Sequence, residues 1–273
     1  MTTTLRPAGP ERRRPDGFRA RAYTVCVNSR PVGSVELSSG DSFGPTVGTI
    51  AGLAIDEPDR GRGRGAVAAL ASEEVLRSWG CTQVKIAVPV EAEHALRLAA
   101  SLCYTERNRH LRKDIGPVHP LPAGASVRPL SVAEYEPWLA RGREKFIESL
   151  TGIGVPRAAA EEREAASARS LLPGGPDAPD GVALVGVAHD GADVAALWLR
   201  TAEPAWVYAV EVAEAFRGQG HGRTAMLAAE NACGGAGART IGLNVFVANE
   251  PAVRLYESLG YRTVVRHLVK PLL

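Results

Sequence analysis

From Tyr208 to Val212, the larger apolar residues Tyr208, Val210 and Val212 alternate with Ala209 and Glu211, and this period of two predicts a β-strand. The loop Arg217–Gly222 follows, with glycine at every second position, which lets the backbone approach a ligand without a Cβ in the way. The residues from Thr224 to Cys233 favour a helix. A strand, a glycine-rich loop and a helix N-terminus in this order suit the binding of a phosphate group, although a plain turn is the alternative.

Two common phosphate-binding patterns do not fit this loop. A Walker A loop ends in Gly-Lys-Ser/Thr, which is absent here. A dinucleotide fingerprint has the spacing Gly-x-Gly-x-x-Gly, whereas Gly218, Gly220 and Gly222 are spaced Gly-x-Gly-x-Gly. The pattern that remains is Arg-x-x-Gly-x-Gly after a strand.

A second strand and a second helix are predicted downstream. The segment Leu243–Val247 is predicted to be a strand, and Asn249 is a suitable N-cap for the helix after it, which Gly260 ends. One face of this helix carries Ala252, Leu255, Tyr256 and Leu259. From spacing alone, Tyr256 is either a core aromatic or a functional residue.

These two motifs together resemble the acetyl-CoA-binding core of the GNAT N-acetyltransferase superfamily. The resemblance rests on Arg217-x-x-Gly220-x-Gly222 after a strand, followed by Asn249-x-x-Ala252-x-x-x-Tyr256-x-x-x-Gly260-Tyr261. Their order and separation match the family. The resemblance implies that acetyl-CoA is the co-substrate.

The resemblance also assigns roles to individual residues. Tyr256 matches the position that protonates the departing CoA thiolate, and a backbone N–H near Val210 or Val212 would stabilise the negative charge that develops on the thioester carbonyl. The remaining acetyl-CoA-binding positions are Arg217, Gly218, Gln219, Gly220, His221, Gly222, Arg223 and Asn249.

The general base is the least decided part of the site. An amine with a pKa near ~10.4 must lose a proton before it can attack a thioester. Glu211 is the first candidate because it lies on the central strand beside the expected thioester position, although alternation can turn it away from the pocket. Tyr208 and Glu203 are the alternatives.

The chain contains an internal duplication. A shift of 157 residues aligns residues 60–113 with residues 217–270 without a gap, and 22 of the 54 positions are identical. The upstream strands recur as well: hairpins near Tyr23 and Val182 each precede a long strand. We therefore predict two copies of one fold.

The two repeats differ at positions expected to carry chemistry. Tyr256 is matched by Ala99 and Asn249 by Ala92. The second repeat has more than 50 residues between its opening strand at Val127 and its hairpin, which predicts two helices, whereas the first repeat has about 17. The first helix opens with the capping box Ser131–Glu134, the second spans 156–172, and the loop 173–181 follows. The resemblance implies that the two helices form part of the acceptor pocket and that Tyr256 is the acid, so we expect the first repeat to lack both.

The Pro- and Gly-rich segment 116–125 suggests a boundary near residue 122. We predict a degenerate N-terminal domain over 1–121, lacking the first two helices, and a catalytic C-terminal domain over 122–273. The fold class is α+β, an α/β sandwich. It comprises two tandem GNAT folds, each with a mixed, mostly antiparallel sheet flanked by helices.

Composition excludes several classes of function. The net charge is only +2, which gives no reason to expect nucleic acid as a partner. No apolar run is long enough to cross a membrane and no signal peptide is recognisable, so we expect a soluble, cytoplasmic protein without a membrane partner. The four cysteines are scattered without a Cys-x-x-Cys pair, so no metal is expected.

The leading hypothesis is an acetyl-CoA-dependent N-acetyltransferase that acetylates a primary amine on a small molecule or a protein. Nothing in the sequence selects the acceptor or the oligomeric state. One alternative is a non-catalytic CoA-binding or interaction protein. Another is that the first repeat binds a second acetyl-CoA, because Arg60, Gly63 and Gly65 match the loop of the second repeat.

Overall fold

The structure is a computed structural model that describes residues 3–15, 17–40, 46–152, 156–171 and 181–272. The chain forms two compact units. Unit 1 comprises Met1–Asn108 and Val265–Leu273, and unit 2 comprises Arg109–Val264. Unit 1 therefore contains most of the first repeat together with the last residues of the second.

Unit 1 is a sheet with two helices. Its elements are β1 (Thr3–Pro7), β2 (Arg12–Arg13), β3 (Arg19–Val27), β4 (Arg30–Ser39), β5 (Val47–Ile55), α1 (Arg64–Ser78), β6 (Gln83–Pro89) and α2 (Glu93–Ser101). No helix occurs between β1 and β3 in the described residues.

Unit 2 has the same plan with two more helices. Its elements are β7 (Thr105–Asp114), which begins in unit 1, then β8 (Ala125–Pro129), α3 (Val132–Thr151), α4 (Arg157–Leu171), β9 (Val182–His189), β10 (Ala192–Arg200), β11 (Ala205–Val212), α5 (His221–Gly235), β12 (Thr240–Phe246) and α6 (Glu250–Ser258). The last strand of the chain is β13 (Arg262–Pro271), most of which lies in unit 1.

Both sheets are mixed and mostly antiparallel, which confirms the predicted fold class. The strand order in unit 1 is β1-β3-β4-β5-β6-β13, with β5 and β6 parallel. The order in unit 2 is β7-β12-β11-β10-β9-β8, with β11 and β12 parallel. The apolar residues of α1 and α2 pack on one sheet and those of α5 and α6 on the other.

The compact units do not follow a single cut near residue 122. Val265–Pro271 of β13 pairs with Pro89–Gln83 of β6 in unit 1, and β7 lies beside β12 in unit 2. The final strand of each repeat thus completes the sheet that holds the other repeat's first elements. A linker rich in Pro and Gly marks where regular structure stops, but it carries no information on which strands pair. The assignment of one degenerate and one catalytic domain concerns function and stays a prediction.

Each unit contains a buried glutamate that is neutralised by a lysine on β13 or β7, the final strands of the repeats. We call these two the exchanged strands, because each lies mostly in the unit that holds the other repeat's first elements. In unit 1, Lys270 Nζ donates to Glu73 Oε2 at 2.7 Å, and the Tyr104 hydroxyl donates to Glu73 Oε1 at 2.9 Å. In unit 2, Lys113 Nζ donates to Glu230 Oε2 at 2.7 Å. Both glutamates are at most 3% exposed, so each needs its lysine to offset the cost of desolvation.

The helical insert of the second repeat is confirmed as α3 and α4. Ser131 and Glu134 form the predicted capping box, and the Ser131 N–H donates to Glu134 Oε2 at 2.8 Å. A hydrogen bond from Arg128 lowers the pKa of Glu134 to about 2. The predicted loop after α4 lies outside the described residues, except for Gly181. No described helix is long and apolar enough to span a membrane.

Candidate active site

The central strands of unit 2 separate after a short parallel pairing. Ala205–Val207 of β11 pairs with Ile241–Leu243 of β12, and both strands then continue without pairing to each other. Beyond this point the edge of β11 no longer pairs with β12, so its backbone N–H and C=O groups can bind a ligand that enters the gap.

A β-bulge at Tyr208 changes the direction of the side chains along β11. Leu199 of β10 lies opposite Val207 but Trp198 lies opposite Ala209, so Tyr208 has no cross-strand partner. After the bulge, Val210 and Val212 pack against the core beneath α5 and α6. The simple alternation predicted for Tyr208, Val210 and Val212 is therefore interrupted.

The glycine-rich loop after β11 adopts a conformation that exposes its backbone amides. Gly218 and Gly220 have φ values of +77° and +89°, a region that L side chains rarely adopt, and Gly220 is the N-cap of α5. Within the described residues, no protein atom accepts a hydrogen bond from the N–H groups of residues 218–222. The loop is therefore a row of free donors at a helix N-terminus, which favours an anion.

Side chains around the loop hold its backbone in place. Arg217 Nε donates to the carbonyl of Val212 at 3.4 Å, and Gln219 Nε2 donates to the carbonyl of Ala215 at 3.0 Å. A Cβ at Gly222 would lie 3.2 Å from Leu255 Cδ2, so a glycine there allows α5 and α6 to approach closely. Arg217, Gln219 and Gly222, which the sequence predicts to contact the cofactor, thus also contact other residues of the protein.

The side chains of His221 and Arg223 both contact other parts of the protein. The His221 ring is only 7% exposed and lies between the rings of Phe216 and His189, with centroid distances of 5.9 and 5.1 Å. The Arg223 guanidinium donates to the Ser258 hydroxyl at 2.5 Å, which links α5 to α6. These two side chains support the loop, and their role towards a ligand stays a prediction.

Tyr256 lies in the hydrophobic core beneath the separated strands. It is 6% exposed, and its ring meets that of Tyr261 edge to face at a centroid distance of 5.9 Å. Burial raises the pKa of Tyr256 to about 12, so the phenol keeps its proton at neutral pH. Asn249 caps the same helix, as predicted, by accepting the Ala252 N–H at 3.3 Å.

Glu211 faces helix α3 and forms ion pairs there. Lys145 Nζ contacts Glu211 Oε1, and Arg141 Nε lies 4.0 Å from Glu211 Oε2. Val210 and Val212 face the other side of the sheet, towards the core that contains Tyr256. The sequence could not reveal this arrangement, because the partners of Glu211 are 66 and 70 positions away.

The two alternative bases have different surroundings. Tyr208 is half-buried, with its ring 5.0 Å from that of Trp198. Glu203 precedes β11, at the opposite end from Glu211, and accepts hydrogen bonds from the Arg239 and Thr240 N–H groups and the Thr240 hydroxyl. These hydrogen bonds, with the Thr240 hydroxyl first, lower the pKa of Glu203. Glu203 therefore ties the β10–β11 turn to the start of β12.

Unit 1 contains a cavity of about 930 Å³ at the equivalent position. Its parallel strands also separate, since β5 and β6 pair only over Val47–Thr49 and Gln83–Lys85. The cavity lies between these strands, the loop Arg60–Gly65 and α2, and Ala99 is part of its wall. The sequence showed that this repeat has the same glycine-rich loop, but it did not predict the cavity beside the loop.

A buried ion cluster lies behind the loop of unit 1. Asp59, 3% exposed, accepts two hydrogen bonds from Arg30, at 2.7 and 3.0 Å, and also contacts Arg64 Nη1. The corresponding positions of Asp59 and Arg64 in the second repeat are Phe216 and His221. In the part of the chain that the structure describes, no group of three or more His, Cys, Asp or Glu side chains could hold a metal ion.

The chain belongs to the acetyltransferase (GNAT) family. The model of this family matches residues 4–103 and 155–261, one match in each repeat. The predicted membership and tandem architecture are thereby confirmed, and the family performs acyl transfer. No curated protein matched the sequence.

Several solved structures share the fold. A GCN5-related N-acetyltransferase from Sphaerobacter thermophilus superimposes with a TM-score of 0.62 at 17% identity, over 92% of this chain and 80% of its own. A tandem GNAT protein from the clavulanic acid biosynthesis pathway gives 0.52 at 19% identity, over 95% and 85%. A GCN5-related N-acetyltransferase from Kribbella flavida gives 0.52 at 19%, over 88% of both chains. At these identities the likeness concerns the fold alone.

Proposed function

We propose that the protein is a cytoplasmic N-acetyltransferase that transfers an acetyl group from acetyl-CoA to a primary amine, with the site in unit 2 as the catalytic one. The observation that carries this proposal is the combination, in one unit, of an open row of loop N–H donors, a gap between parallel strands and a protonated tyrosine beneath it. The first repeat has alanine in place of that tyrosine.

The residues of unit 2 fit the groups that acetyl-CoA would present. The free N–H groups of residues 218–222 and the positive end of the α5 dipole suit a pyrophosphate. The unpaired edge of β11 beyond Val207 can hydrogen-bond an extended amide-containing arm. Acetyl-CoA supplies the activated acyl group, and the chain supplies binding, orientation and proton transfer.

We assign Tyr256 as the general acid. It would donate its phenolic proton to the departing thiolate, whose conjugate acid is the stronger acid, with a pKa near ~8.5. Donation therefore depends on close placement rather than on an acidic phenol. A backbone N–H near Val210 or Val212 would stabilise the charge on the thioester oxygen, because these residues lie where the strands separate.

We assign Glu211 as the general base, acting on the acceptor from the α3 side. Its ion pairs with Lys145 and Arg141 place it in a charged surface between β11 and α3. To accept a proton, directly or through water, the carboxylate must exchange a cation for the acceptor amine. An incoming ammonium group can make that exchange, because it carries the same charge as Lys145.

The experiment that tests this function measures thiol release from acetyl-CoA in the presence of polyamines, amino-sugar antibiotics, cysteine conjugates and peptides. Wild type is compared with Tyr256→Phe, which keeps the buried ring and removes the hydroxyl. We expect turnover on one class of amine, reduced by about 10²-fold in the variant, with acetyl-CoA affinity unchanged.

Undiminished turnover in Tyr256→Phe would remove this residue from the mechanism. Tight CoA binding without turnover on any acceptor would favour a non-catalytic CoA-binding protein instead. One observation speaks for that second candidate: unit 1 keeps a complete glycine loop and an open cavity although it lacks the tyrosine.

A further inference from the structure

The cavity of unit 1 is open because two large side chains of the second repeat are replaced by alanine. Ala69 and Ala99 are both part of its wall, and their counterparts at the 157-residue offset are Met226 and Tyr256. Met226 is fully buried and Tyr256 is 6% exposed, so in unit 2 both side chains fill the core. Their loss in unit 1 leaves space beneath the separated strands.

The deep end of the cavity is apolar. Ala69 and Ala99 are joined there by Leu98, Leu102 and the ring of Tyr104. The Tyr104 hydroxyl is directed to Glu73 rather than into the space, because it donates to that carboxylate at 2.9 Å. This end therefore suits a hydrocarbon chain and offers it no polar partner.

The outer end of the cavity is suited to phosphate. Gly61 and Gly63 have φ values of +73° and +71°, and no described protein atom accepts a hydrogen bond from the N–H groups of residues 61–65. Arg62 lies between these two glycines in the chain and is exposed, and the second repeat has Gln219 at this position. Arg64 is held by Asp59 and does not contribute a free charge.

The groups proposed for chemistry in unit 2 are absent from this site. Ala99 replaces the acid Tyr256, and Ala54, which also lines the cavity, replaces Glu211. A thioester bound here would therefore lack the counterparts of both groups that we assign to acyl transfer in unit 2. On that assignment, the site holds such a ligand without transferring its acyl group.

We propose that the cavity of unit 1 binds a CoA thioester with an acyl chain longer than acetyl, without turnover. The phosphates lie on the loop Arg60–Gly65, the amide-containing arm lies between β5 and β6, and the acyl chain fills the space left by Ala69 and Ala99. This inference rests on the proposed use of CoA thioesters by the protein. It adds a second site with a different preferred chain length.

The test is a calorimetric titration of the full chain with CoA, acetyl-CoA, butyryl-CoA and hexanoyl-CoA. Gln219→Glu is introduced to weaken the site of unit 2, and Arg62→Glu to weaken that of unit 1. We expect two binding events in wild type. In the binding event that survives Gln219→Glu, the affinity should rise about fourfold for each added methylene that is fully buried, since each contributes about 0.8 kcal/mol. Hexanoyl-CoA should therefore bind at least about tenfold more tightly than acetyl-CoA, even if only two of its added methylenes are buried.

A pair of substitutions fills the cavity with the side chains of the second repeat. Ala69→Met with Ala99→Tyr should abolish the preference for hexanoyl-CoA while CoA itself still binds. Ala69→Met alone should shorten the preferred chain, which keeps the test valid if the double variant does not fold. Leu70→Met, on the exposed side of the same helix, is the control and should leave the preference unchanged.

The inference would be overturned if wild type showed a single binding event and Gln219→Glu removed it. It would also be overturned if the binding event that Arg62→Glu weakens had the same affinity for all chain lengths. Thiol release and Tyr256→Phe test the proposed function separately, so failure of the second site can be told apart from failure of the transferase. If thiol release occurs but chain length has no effect on affinity, the proposed transferase activity is supported and the proposed second site is refuted.

Discussion

The two repeats keep the same loop but differ in the space and the chemical groups above it. In unit 2, Tyr256 and Met226 fill the core and Glu211 lies on the strand, whereas unit 1 has alanine at all three positions and a cavity of about 930 Å³. The loop backbone that we propose binds phosphate is set by glycines and a helix N-terminus, so it survives the loss of side chains. The catalysis that we propose for unit 2 depends on individual side chains that unit 1 lacks.

The exchanged strands complicate this comparison, because neither unit consists of one repeat alone. Lys270 belongs to the second repeat but neutralises Glu73 in unit 1. Lys113 belongs to the first repeat but neutralises Glu230 in unit 2. The first repeat, although it lacks the acid, supplies a strand and a buried counterion to the unit that we propose is catalytic.

The largest effect is expected from breaking one of these buried pairs. Lys270→Met leaves Glu73 buried without its counterion and should lower the free energy of unfolding by about 3 kcal/mol. Hydrogen exchange should then increase in β6 of unit 1, although the substitution is in the second repeat. Arg262→Met, an exposed position of the same strand, should have little effect, and Lys270→Met with Glu73→Gln should recover part of the loss. Faster exchange confined to β12 would contradict the observed pairing.

A smaller effect is expected from placing a carboxylate at either loop. Gln219→Glu should weaken CoA binding to unit 2 by about tenfold or more, because the new charge faces the phosphates at short range. Gln219→Ala is the matched control, since it removes the same side chain without adding charge. We avoid substitution of Gly220, whose φ of +89° would strain any other residue. Equal loss of affinity in both variants would mean that charge is not the cause.

Glu211→Gln should reduce kcat by about tenfold if Glu211 is the base, with less effect on acetyl-CoA affinity. Because the carboxylate is partly exposed and paired with exposed Lys145, loss of the ion pair should cost below about 1 kcal/mol in stability. Lys145→Met removes the same ion pair and keeps the carboxylate, which separates the two roles. If both variants lose the same activity, Glu211 acts by positioning α3 rather than by accepting a proton.

The smallest effect at neutral pH concerns the titration of Tyr256. Burial raises its pKa from 10.0 to about 12 in the folded chain, so between these values the folded state binds more protons than the unfolded state. Stability is therefore retained below pH 10 and falls as the pH rises towards 12. Denaturant unfolding of Tyr256→Phe should show a decline shallower by up to about 1.4 kcal/mol per pH unit. Identical slopes in the two proteins would show that the phenol is not buried as described.

Much of the fold follows from local patterns in the sequence. The duplication places each element of one repeat on its counterpart in the other. The capping box at Ser131 and the N-cap at Asn249 are local contacts within three residues, and the structure contains both. The glycines of the loop were recognisable because positive φ values favour that residue.

The surroundings of the site residues could not be predicted in this way. The bulge at Tyr208 depends on how β10 and β11 pair, and the ion pair of Glu211 depends on where α3 crosses the sheet. The cavity of unit 1 results from two alanines that are 30 positions apart in the chain. Each of these features joins residues from separate elements, so no single stretch of sequence contains it.

The sequence by itself determined the family, the doubled architecture and the glycine-rich loops, because each depends on short-range spacing and on residue types with restricted backbone conformations. Only the tertiary structure decided which strand completes which sheet, which lysine neutralises which glutamate and which repeat contains the described cavity. These are long-range pairings. Their free energy comes from burial and from neutralising buried charge, and that free energy exists only when distant parts of the chain have come together.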